Sequence, residues 1–129
     1  MAQSSAAEQI VDIAYKRAMR PIDLVHLAKQ CLGDEQLEQE ILRLFDTTVK
    51  SYFARLEQAS SFDDLAMSLH SIKGAASGVG AFTIAELAKA AEVEMQAGRP
   101  LSVERIADLG MAIEEVRSFI ARMLSGEAA

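Results

Sequence analysis

Apolar residues recur along this chain at intervals of three and four rather than two, the spacing of helices with one buried face. The clearest instance is near the C-terminus. There Ile106, Leu109, Ile113, Val116, Ile120 and Leu124 follow Ser102, a residue suited to an N-cap, and precede Gly126, a stop signal. A longer segment, residues 35 to 58 behind the cap Asp34, carries two adjacent lines: Leu37, Ile41, Leu44 and Thr48 in one, and Leu42, Phe45, Val49, Phe53 and Leu56 in the other. So broad a face suits a central helix with several neighbours. Over about 62 to 77, Phe62, Leu65, Leu69, Ile72 and Ala76 form a narrower stripe, with Ala66 at its edge. Ser60 or Ser61 starts that helix, Asp63 and Asp64 complement the dipole of its first turn, and Gly78-Val79-Gly80 ends it. Thr83 to Glu86 has the form of a capping box and predicts a helix to about Gln96, ended by Gly98-Arg99-Pro100. Its Ala85, Ala88, Ala90 and Ala91 allow a neighbouring helix to come close.

Two shorter helices precede these. A capping box from Ser5 to Glu8 predicts one over residues 6 to 19, with Ile10, Ile13, Ala14 and Arg17 on one side and Pro21 beyond its end. Asp23 caps another over 23 to 31, with Leu24, Leu27 and Ala28 inward and Gly33 as the stop. The stripe of the first is thin, so residues 1 to 19 are expected to be an extension docked on a main domain of residues 20 to 125. No segment has the alternation of a strand. Connections of a few residues imply antiparallel neighbours. The expected fold is all-α, an antiparallel up-and-down four-helix bundle with one or two short extra helices at the N-terminus.

At 129 residues the chain can bury a core without disulfides or metals to staple it. Its single cysteine, Cys31, has no partner for an intramolecular disulfide, and Met1-Ala2-Gln3-Ser4-Ser5 is neither basic nor apolar, so the protein is expected in the cytoplasm. No uncharged apolar run approaches the roughly 20 residues needed to cross a bilayer. A net charge of -6, with 13 Lys and Arg scattered along the chain, argues against a nucleic-acid partner. Two histidines and one cysteine make no metal site, and His26, without a ligand-spaced partner, reads as structural or incidental. The glycines at 74, 78 and 80 lack both the strand and the Lys-Ser/Thr pair of a phosphate-binding loop, so no ATP site is expected. Gly78 and Gly80 read as turn residues.

The chemistry concentrates on His70. At 100° per residue it falls roughly 110° from the centre of the stripe on its helix, at the boundary or exposed, with Lys73 and Gly74 one turn on and on the same side. A neutral imidazole is a competent nucleophile near pH 7, and a nearby cation such as Lys73 offsets the charge of a phosphoryl group brought to it. Each residue has a plainer reading. A border histidine is usually a surface residue, Lys73 can be a solvated charge, and Gly74 can permit helices to cross closely instead of leaving room for a partner. Met67, one turn before His70, is either a scattered surface residue or part of a docking patch.

The stretch from Leu69 to Ala81, LHSIKGAASGVGA, resembles the signature of histidine-containing phosphotransfer (HPt) domains, in which H-x-x-K-G is followed at fixed spacing by G-A. Ile84, Leu87 and Glu92 sit where that family places apolar residues and a glutamate on the next helix, and Pro21-Ile22-Asp23-Leu24 and Gly33-Asp34 resemble its opening, so that the likeness covers residues 20 to 122. The resemblance implies a four-helix bundle with one exposed phosphorylatable histidine, His70, modified on Nε2. Lys73 would stabilise the phosphoryl group, and Gly74, with Met67, Ser71 and Ser77, would face the partner. It implies a phosphoryl carrier rather than an enzyme, and because all of the inferred chemistry lies on one helix, the chain is expected to be a monomer. The partners would be receiver domains of response regulators or hybrid histidine kinases, which would also supply the Mg²⁺. Two other roles fit the same features: a receiver-binding scaffold or phosphate sink, and the phosphorylatable module of a larger sensor kinase.

Overall fold

Helices in this chain begin where a side-chain oxygen meets the first free backbone N–H groups. In the computed structural model, which describes residues 5–10 and 20–126, the Asp23 carboxylate accepts from the Val25 and His26 N–H groups, both at 3.1 Å, and opens α1 (Leu24–Gln30). Asp34 accepts from Leu37 N–H at 3.1 Å to open α2 (Glu35–Gln58), and Ser61 Oγ from Asp64 N–H at 3.1 Å to open α3 (Phe62–Val79). After α4 (Phe82–Gln96), Ser102 Oγ accepts from Arg105 N–H at 3.1 Å to open α5 (Val103–Ser125). Each such cap stabilises its helix by about 1 kcal/mol. The box predicted at Ser5 also forms, with Ser5 and Glu8 exchanging backbone-to-side-chain bonds at 3.1 and 3.2 Å ahead of a helical turn at 6–10. The expected continuation of that helix to residue 19, and its docking, lie outside the described residues.

The four long helices form the expected bundle, with packing that runs round a square from α2 to α3, α3 to α4, α4 to α5 and α5 back to α2. Leu42, Phe45, Val49 and Leu56 of α2 meet Leu69, Ile72 and Ala76 of α3, while Ile84, Ala88, Ala91 and Met95 of α4 and Leu109, Ile113, Val116 and Ile120 of α5 complete the core. Ala85, Ala88 and Ala91 of α4 are buried and leave room for α3 to approach, while Ala90 is half-buried.

Three expectations are corrected. Leu37 and Leu44 are exposed, because the neighbours of α2 cover the arc through Leu42, Phe45 and Val49, while Ile41 and Thr48 of the adjacent line are only half-buried at its border. Phe62 is exposed too: helical side chains lean toward the N-terminus, and from the first position of α3 this one projects past the end of the bundle. The capping box at Thr83 does not form. Gly80 (φ 91°) ends α3, the Ala81 N–H bonds Ala76 O at 2.9 Å, and the Ala81 carbonyl already accepts from Ala85 N–H at 3.1 Å. The turn is complete before Thr83, which becomes an ordinary position in the first turn of α4.

α1 braces that turn. Asp23 N–H donates to Gly80 O at 2.9 Å, His26 Nε2–H donates to Gly78 O at 3.2 Å, and the His26 ring stands edge-on to Phe82 with centroids 5.1 Å apart. His26 is therefore structural. A Cβ on Gly80 would lie 3.0 Å from the Asp23 carbonyl oxygen, so the glycine serves both its left-handed backbone and the brace.

Candidate functional site

Burial of Leu69, Ile72 and Ala76 turns the opposite side of α3 outward, so that Met67, His70, Gly74 and Ser77 fall on one exposed line. Ser71 lies beside that line and is half-buried. The His70 side chain is 76% exposed. A Cβ built on Gly74 meets nothing within 4 Å, and the same holds at Gly78. Gly74 therefore does not mediate a helix crossing. The crossing glycine is Gly110 on α5, where a Cβ would stand 2.9 Å from Cζ of Phe53 on α2.

Lys73 turns from the exposed line toward α4. Its Nζ donates to Glu92 Oε2 at 2.9 Å, and the carboxylate beneath is only 12% exposed. The second oxygen, Oε1, is buried, accepts no hydrogen bond, and lies 3.9 Å from His70 Nδ1. That separation is too long for a hydrogen bond, so the two groups face each other without being bonded. One carboxylate thus holds the lysine through one oxygen and offers the other to the inner edge of the imidazole. The outer nitrogen, Nε2, is left toward solvent.

In the sequence Glu92 marks only a position of the family resemblance and carries no role of its own. A weak signal existed, since an acid beside the buried Ala88, Ala91 and Met95 sits at the border of an apolar face. Among the described residues no group of three or more His, Cys, Asp or Glu is placed to hold a metal ion, and no helix is long and apolar enough to cross a membrane.

The arrangement, a surface imidazole backed by a carboxylate–ammonium pair on a helical hairpin, defines a site on the bundle's outer face with free access from solvent. The family model described as "Hpt domain" matches residues 34–119, more than half of the chain. The chain belongs to the Hpt domain family, whose members serve histidine phosphotransfer in phosphorelay signalling. The match starts at the cap of α2, so α1 and everything before it lie outside the matched span. No significant match is found among curated proteins or solved structures.

Proposed function

We propose that His70 carries a phosphoryl group between the aspartates of receiver domains. Nε2 attacks the phosphorus of a receiver's aspartyl phosphate, the N–P bond forms as the acyl O–P bond breaks, and the aspartate leaves as a carboxylate. The imidazole gains positive charge in that step. Glu92 Oε1 accepts the Nδ1–H, which fixes the tautomer with its lone pair on Nε2 and offsets the charge. Lys73 balances Glu92 in the resting state and stands within one turn of the incoming phosphoryl oxygens. The Mg²⁺ comes from the receiver, and no ATP site on this chain is required. Gly74 keeps the approach clear, with Met67 and Ser77 on the same line to meet the partner. The observation that carries this reading is the exposed imidazole whose inner nitrogen faces an unsatisfied buried carboxylate oxygen.

The test is incubation with a receiver charged by a small-molecule phosphodonor. Acid-labile label should appear on the wild-type chain and be absent from His70→Gln, with the melting temperature nearly unchanged because a surface residue contributes little to the core. Stoichiometric binding without label would make the chain a scaffold, and wild-type labelling of His70→Gln would move the site elsewhere. The site needs no second subunit, so the chain should elute as a monomer.

A further inference from the structure

On the side of the bundle away from His70, the last turns of α2 and the first turns of α5 leave an open groove of about 650 Å³. His70 and Glu92 occupy the α3–α4 edge of the square, and this groove occupies the α5–α2 edge, the opposite one. Phe53 and Ile106 form part of its floor, and Val103 and Met111 stand at its margin 82% and 73% exposed. Val103 and Met111 lie about two turns apart on one helix, and with the half-buried Phe53 and Ile106 between them they form a continuous apolar strip along the groove rather than scattered single residues.

The charged residues that line the groove are Glu57 and Glu114; none is basic. Arg117 bonds Asp46 and Glu114 together, one cation against two carboxylates. On the outer side of α5, Glu104, Asp108 and Glu115 are all exposed, and Arg105 is turned away to Glu94 on α4. Lys50, exposed on α2, is outside the lining. A second copy of the chain would therefore set carboxylate against carboxylate, whereas a helix with an apolar stripe flanked by Lys or Arg matches both floor and rim.

We propose that this groove binds a basic amphipathic helix of a partner protein, and that it does so without covering His70. The chain would then hold one protein on its α5–α2 edge while a receiver visits its α3–α4 edge.

The probe is a helix-forming peptide of leucine and lysine, with leucines at helical spacing, titrated into the full chain while methyl NMR signals are followed. Binding should move the Met111, Val103 and Ile106 methyls, with a dissociation constant below about 100 μM, and leave the His70 ring signals in place. Met111→Glu discriminates by sign. The residue is exposed, so the fold is retained. Loss of the apolar contact should weaken binding by roughly tenfold, whereas attraction to an acidic surface alone would be strengthened by the added charge. Unchanged or tighter binding to Met111→Glu, shifts confined to other faces, or no binding would overturn the proposal. So would concentration-dependent broadening of the groove signals without peptide, which would assign the groove to a second copy, or contacts from residues 6–19 to Phe53 or Met111 in the free chain.

Discussion

Gly74 and Glu92 make the reading of the His70 site testable residue by residue. The open space around Gly74 leads to the expectation that Gly74→Gln retains the fold, with a stability change between neutral and a gain of about 1 kcal/mol, since glycine is a poor helix former at an exposed position. The same side chain would project beside the imidazole and should block transfer from a receiver. A variant that melts early yet transfers at the wild-type rate would sink that argument. Glu92→Ala should slow transfer by about ten- to a hundredfold through loss of ring orientation, and Glu92→Gln should retain part of the rate because the amide keeps an acceptor oxygen. Nitrogen NMR of the ring would show whether the Nδ1–H tautomer declines in Glu92→Ala. If tautomer and rate both hold, Glu92 only anchors Lys73. The exposure of His70 was legible in the sequence, because the stripe through Leu65, Leu69, Ile72 and Ala76 fixes the outward side of its own helix. The part played by Glu92 was not, because it depends on the register of two helices, which a tight turn sets and no local pattern displays.

Among the elements, the α2–α5 pair turns on the fit of Phe53 over Gly110. Gly110→Ala should destabilise the bundle by no more than about 1–2 kcal/mol, since the new methyl would meet the far end of the Phe53 ring at 2.9 Å and the ring must move toward the open groove, a cost set against the roughly 1 kcal/mol that alanine gains over glycine in a helix. Gly74→Ala, with no neighbour to meet, should not, and chemical denaturation of the two variants side by side separates a packing glycine from an access glycine. Sequence periodicity located all four long helices and the caps of α2 and α5, and left that of α3 between Ser60 and Ser61, of which the structure uses Ser61. It could not choose which of the two lines on α2 faces the core, because that depends on where α3 and α5 lie. Nor could it pair Gly110 with Phe53, residues far apart in the chain that meet only in the folded bundle. The false box at Thr83 has a similar origin: the residues are right for a cap, but Gly80 and Ala81 complete the turn first.

Across the whole molecule, half-buried ion pairs tie α3 to α4, α4 to α5 and α5 to α2, through Lys73–Glu92, Arg105–Glu94 and Arg117–Asp46. Hydrogen bonds from Arg105 hold the Glu94 carboxyl below its ordinary range. The unfolded chain therefore takes up a proton at Glu94 more readily than the folded one. The stabilisation from this pair is present above the usual glutamate value of about 4.3 and is lost as the pH falls through the lower folded value. The melting-temperature difference between wild type and Arg105→Gln should accordingly narrow from about pH 6 to about pH 3. A difference that stays constant would mean that the pair acts through packing alone. The two-residue turn between α3 and α4 has a further consequence, for the lengths this chain can tolerate. Because Gly80 and Ala81 alone separate those helices, and α1 clamps them, one inserted residue there would turn α4 by about 100° and slide it by about 1.5 Å, carrying Glu92 away from His70. The connection from Ala97 to Ser102 carries no such alignment. Related sequences should accordingly vary in length between α4 and α5 while the count of residues from His70 to Glu92 stays constant.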